Sequence, residues 1–242
     1  MMQFITAHIN LIVPVGALVL LSATARAIHF YLFNKHFHLT FAGAPWRSLG
    51  YFAAWSLVVG LMFPTQTAAL FAQVTPTHYF FLTFMLLVIF PGLYRETREH
   101  AGRPEWLLAF SPEEGMLTLG ERYIIAKIAD VVFQQLIAGA MILTLATSGV
   151  AYPTIVGVFV VLFAAAHLYL FRTAGMFWGI YYTTYAALGG FAFTFLIIFV
   201  QAGIVYAILI HMLFYVLSGI LFAKLPRPSK AMRHDLLGVG AA

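Results

Sequence analysis

The sequence has no cysteine and few charges. Without cysteine there are no disulfides and no thiolate chemistry, although the redox compartment stays open. Only 9% of the 242 residues are charged, whereas 62% are hydrophobic. A water-facing domain carries roughly 25% charged residues, so this chain cannot cover a soluble surface. Also missing are the short alternating segments of a membrane β-barrel. No Lys or Arg precedes Arg26. The motif Ala23-Thr24-Ala25 resembles a small-x-small cleavage site, but a secretory leader needs a basic start, so residues 8–31 read as a retained span.

What is present is a series of apolar runs, each about 20 residues and long enough to cross a bilayer. Spans are predicted over about 8–31, 49–73, 78–94, 121–148, 152–171, 174–199 and 203–223. In lipid, backbone groups must pair within the segment, so the expected fold is an all-α polytopic bundle of about seven transmembrane helices, with residues 1–242 as a single membrane domain. The net charge of +5 is not a nucleic-acid signal. Its placement alternates instead. Lys35 and Arg47 lie in one loop, Arg95, Arg98 and Arg103 in another, Arg172 in a short turn, and Lys224, Arg227, Lys230 and Arg233 in the tail. The intervening connections are free of base. Basic loops stay cytoplasmic, which predicts N-out/C-in and a multi-pass protein of the cell (inner or plasma) membrane. The longest connection, 95–120, has an apolar stretch at Trp106–Phe110 suited to the membrane surface. Ser111-Pro112-Glu113-Glu114 follows as a helix start, with serine as cap and proline at the first position.

Ionisable groups inside spans are costly and point to function. Arg26 and His29 sit near the inner end of the first span and read as snorkelling side chains. His78 reads as a solvated residue at the outer surface. Lys127 and Asp130, spaced i and i+3, can pair on one helical face. Gln134 and Gln135 lie one turn deeper, and His167 and His211 occupy two other spans. At 1.5 Å per residue, Gln135 and His211 lie about 20 Å from the cytoplasmic ends of their helices, and His167 only about 7 Å. Gln134, Gln135 and His211 would thus form one layer, and Lys127, Asp130 and His167 a shallower one. A single constellation requires the fifth span to be displaced or to continue past Arg172.

Three segments resemble the membrane motifs of the CAAX prenyl protease and bacteriocin-processing (CPBP, or Abi) family: EExxxR, FxxxH and HxxxN or HxxxD. Phe163-Ala-Ala-Ala-His167 is similar to the second. His211-Met212-Leu213-Phe214-Tyr215 is similar to the third, with Tyr215 in the Asn position. Phe133-Gln134-Gln135-Leu136-Ile137-Ala138-Gly139 resembles the first, with glutamines for the two glutamates and Gly139 for the arginine. The resemblance covers about residues 120–223. It implies a site built from His167, His211, Gln134, Gln135, Phe163 and Tyr215, with Lys127 and Asp130 beside it. In the family a glutamate is taken to activate water, and an amide cannot take that proton.

The expected function is therefore a non-catalytic scaffold or accessory subunit that binds a membrane-protein partner, a second copy or a lipidated chain in the bilayer. No cofactor, metal or nucleic acid is expected. The alternatives are an intramembrane endopeptidase using Asp130, His167 and His211, a haem or metal protein with those histidines as ligands, and a small transporter with helices broken at Pro14, Pro64 or Pro91. A retinal protein is set aside, because Lys224 lies at the end of the last span and not within it.

Overall fold

The computed structural model describes residues 2–29, 31–32, 44–93, 95, 121–173 and 176–224; within these, the side chains of 2–10, 121–123 and 222–224 are not described. Among the described residues the chain is helical, with short turns and no strand. The helices are α1 (Met2–His29), α2 (Pro45–Met62), α3 (Pro64–Phe71), α4 (Pro76–Phe84, extended by a π-helical turn over Met85–Ile89), α5 (Glu121–Thr147), α6 (Tyr152–Ala165), α7 (Leu170–Thr173), α8 (Met176–Phe199) and α9 (Gly203–Lys224). Among the described residues six stretches are long and apolar enough to cross a membrane, or seven if the bent pair α2–α3 is counted as one broken span. This is a polytopic membrane bundle.

Prolines place several helix starts. Pro45, Pro64, Pro76 and Pro153 occupy first-turn positions, where a missing N–H costs nothing. Pro64 also breaks what the hydropathy presents as one span over 49–73. The residue before a proline is kept out of the helical region, and Phe63 sits at φ −127°, ψ 57°. The chain turns by 106° there, so the expected single helix is two. A second break follows α6. The expected continuous span 152–171 stops being helical at Ala165, and residues 166–169 form turns before α7.

The centre of the bundle is α5. In the most apolar 18 residues of its span 78% are buried, against 11% in the corresponding stretch of α1. Phe52 of α2, Leu70 of α3, Phe159 of α6 and Ile208 of α9 belong to the core around it. Leu20, Phe80, Val161, Ile180, Phe191 and Leu217 face outward. Lipid solvates such side chains, so helix association here depends on close packing more than on apolar burial. Gly190 of α8 is one such close approach, since a Cβ there would lie 2.8 Å from the Phe159 carbonyl oxygen of α6.

Contacts between side chains and neighbouring helices give the helix directions. His29 meets Ser48 and Tyr51 meets Ala25, so α1 and α2 are antiparallel. Gln135 meets His211, Lys127 meets Tyr215 and Tyr181 meets Ser218, so α9 runs against both α5 and α8. The traverses thus alternate, and Arg26, Arg47, Arg95, Lys127 and Arg172 gather at one end of the bundle.

Candidate functional site

Near that basic end, α5 carries the polar face. Its 3.6-residue repeat places Lys127, Asp130 and Gln134 on one side, a turn apart, while the adjacent Gln135 is rotated toward α9. Asp130 is fully buried, and its two oxygens are both engaged. Oδ2 accepts from Lys127 Nζ at 2.6 Å. Oδ1 accepts from Gln134 Nε2 at 2.9 Å and from Arg26 Nη2 of α1 at 3.1 Å. The expected pair is thus a cluster with a second cation. Arg26, read as snorkelling, is half in the site: its side chain is 45% exposed, yet it reaches across to α5. His29, also read as snorkelling, is buried instead, 3.5 Å from Ser48 and ring to ring with Tyr51 and Phe52.

Lys127 links this cluster to α9, because its ammonium lies 4.9 Å from the centre of the Tyr215 ring. Tyr215 stacks on His211, one turn earlier in α9, and His211 stacks on Phe193 of α8. His211 Nδ1 accepts from Gln135 Nε2 at 2.8 Å, so the amide of α5 and the imidazole of α9 share one layer, as expected. That bond leaves the imidazole proton on Nε2. Gln135 is fully buried, and its Oε1 has no partner among the described residues. Whichever way the amide is turned, the remaining amide atom and His211 Nε2 comprise one donor and one acceptor.

His167 lies just past the end of α6. Its Nδ1 donates to the Phe163 carbonyl at 2.8 Å, which leaves Nε2 as the acceptor nitrogen. Its ring is stacked with Tyr182 of α8. Tyr182 in turn meets Phe214, and Phe163 meets Phe193, which stacks on His211. The two histidines are therefore joined through aromatic rings of α8 and α9. Residues 166–169 leave the helix, so His167 sits on a turn between α6 and α7.

Gly139 completes the surroundings. A Cβ there would lie 2.7 Å from Leu70 Cδ2 of α3, so the bent α2–α3 pair fills the space that a larger side chain would take. His78, read as a solvated surface residue, is half-buried instead, edge-on to Tyr206 of α9, and its Nδ1 accepts from the Thr75 backbone N–H at 3.2 Å at the start of α4.

Reasoning from sequence missed Arg26 as a member of the cluster, and the aromatic bridge of Tyr182 and Phe193. An ion pair spaced i and i+3 looks self-sufficient in a linear sequence. The signal for Arg26 was its position one turn from the end of a span, level with the start of a helix that carries an acid. Among the described side chains Asp130 is the one carboxylate, and no three His, Cys, Asp or Glu residues gather as a metal site. Glu113, Glu114 and the surface stretch Trp106–Phe110 lie outside the described residues. Compared with protein-family models, curated proteins and solved structures, the chain matches none of them.

Proposed function

We propose that this is a multi-pass protein of the cell (inner or plasma) membrane, with a CPBP-like core, that binds a lipidated or membrane-spanning chain within the bilayer without cleaving it. It acts as a scaffold or accessory subunit. In this reading the basic end of the bundle is cytoplasmic and the N-terminus lies outside.

One observation carries the proposal: the polar layer offers hydrogen bonds, while Asp130, the one carboxylate among the described side chains, is fully engaged. Hydrolysis needs a group that can take a proton from water. Asp130 is fully buried, and its oxygens are engaged by Lys127, Gln134 and Arg26. Gln135 and His211 are bound to each other, and their remaining atoms offer one donor and one acceptor. A secondary amide of a bound chain has the complementary pair. The segments around Gln135, His167 and His211 support the resemblance because Gln135 and His211 meet directly and His167 is linked to them by rings. The variant-protease alternative requires Asp130 to give up one of its three partners.

The test is binding of two fluorescent probes, a prenylated peptide and an apolar membrane-spanning peptide, to the purified protein in nanodiscs. Saturable binding of one is expected. Gln135→Leu and His211→Leu should each weaken it roughly tenfold, the worth of one or two hydrogen bonds. Failure of both probes to bind, or binding indifferent to both substitutions, would remove the proposal.

A further inference from the structure

Arg26 has hydrogen-bonding capacity that the cluster does not use. A guanidinium presents five N–H donors in a rigid plane. Nη2 is held by Asp130 Oδ1 at 3.1 Å, and no other Arg26 side-chain bond is formed among the described residues. The side chain is 45% exposed, while the carboxylate that holds it is fully buried. One edge is therefore fixed from inside the bundle, and the rest faces outward.

Its level matches the membrane–water boundary. Arg26 lies in the last turn of α1, at the basic end of the bundle. Tyr31 and Trp46, at the same end, are 65% and 70% exposed, as expected of aromatic residues at the headgroup level. Toward the middle of the bundle, Leu20 and Val19 of α1 are exposed apolar side chains, as a hydrocarbon-facing stretch requires. Arg47 and Arg172 are exposed at this end too, yet no described side chain holds either of them. Of Arg26, Arg47 and Arg172, Arg26 is the one that is both anchored by a described side chain and accessible. A pre-oriented guanidinium loses less freedom on binding, and its planar fork fits phosphate oxygens bidentately. Basic pockets between helices on the cytoplasmic side are suited to anionic headgroups.

We propose that Arg26, oriented by Asp130, is a phosphate-binding site at the boundary between α1 and α5. Its ligand is either the phosphodiester of an anionic phospholipid headgroup or a soluble phosphate. The site is separate from the Gln135–His211 pair, so it stands whether or not that pair binds a chain.

The test uses the full chain in nanodiscs of mixed phosphatidylcholine and phosphatidylglycerol, with retained lipids counted by native mass spectrometry. In a second arm, inorganic phosphate is titrated into lipid-free detergent and thermal unfolding is followed. For a headgroup ligand, phosphatidylglycerol should be retained over phosphatidylcholine by roughly fivefold, the scale of one basic residue near the surface. Arg26→Gln should abolish the preference and Arg47→Gln should leave it. For a soluble ligand, inorganic phosphate should raise the unfolding temperature of the wild type and not of Arg26→Gln. Either pattern supports the site and names its source. No response in either arm, or a preference that survives Arg26→Gln, overturns it. If Arg26→Gln does not fold, Arg26→Lys decides: it keeps the charge and loses the fork, so an undiminished preference overturns the site and a reduced one supports it.

Discussion

Neutralising Asp130 tests the polar cluster most severely. Asp130→Asn keeps the shape and much of the Gln134 bond, but removes the negative charge that lies 2.6 Å from Lys127 and 3.1 Å from Arg26. The two cations respond differently because their exposure differs. The Lys127 side chain is 12% exposed, and breaking a buried pair by removing one partner costs about 3–5 kcal/mol. The Arg26 side chain is 45% exposed, and its share is that of a surface pair, about 0–1 kcal/mol. A hydrogen bond between helices in a membrane averages only about 0.6 kcal/mol, so the loss should come mainly from Lys127. Unfolding by a denaturing detergent, followed by fluorescence of the four tryptophans, should show Asp130→Asn destabilised by roughly 3–5 kcal/mol. The double variant Lys127→Leu/Asp130→Leu should recover most of this, because both charges leave together. Arg26→Gln should stay within about 1 kcal/mol of wild type. An Asp130→Asn protein within about 1 kcal/mol of wild type, or a double variant no better than the single one, would refute the electrostatic reasoning.

Other consequences are open to the same unfolding assay. Gly190→Ala places a Cβ against the Phe159 backbone, which cannot move aside, and should cost about 1–3 kcal/mol. Gly139→Ala meets only the flexible end of Leu70 and should cost less; the reverse order would contradict the packing. Ala202, between α8 and α9, has φ 52°, so Ala202→Gly should stabilise by up to about 1 kcal/mol, and a clear loss would contradict the turn. Gly203→Ala should disrupt that turn by running into the Leu196 carbonyl, seen as poor folded yield. Single cysteines at Arg47 and Arg172 should react with a membrane-impermeant thiol reagent only in opened cells, and those at Tyr152 and Val150 in intact ones; the opposite pattern would invert the topology.

Much of the architecture was legible because hydropathy has one dominant solution in lipid. Charge scarcity identified the bundle, and the placement of Arg47, Arg95 and Arg172 ordered its traverses before any packing was known. Breaks were harder to see. Pro64 was visible, but a proline inside an apolar run can kink a helix slightly or turn it by 106°, and the run itself does not distinguish the two. The end of α6 at Ala165 has no proline or glycine to mark it, and His167, on the turn beyond it, stacks on Tyr182. In the site, Gln135 and His211 were placed in one layer by counting rises along two helices. Arg26 was not, because a cation near a span end satisfies itself equally well by reaching water. His29 was misread for the same reason: its position suggested the interface, and its burial depends on Ser48, Tyr51 and Phe52 of the next helix.

The central claim, a polar layer that binds without hydrolysing, is tested most directly by a turnover time course. A prenylated, membrane-tethered peptide is incubated with purified wild type and with Asp130→Asn, and products are read by mass spectrometry. The account predicts an intact peptide with both proteins. Peptide-bond cleavage by the wild type that disappears in a folded Asp130→Asn variant would contradict it and make Asp130 a working base.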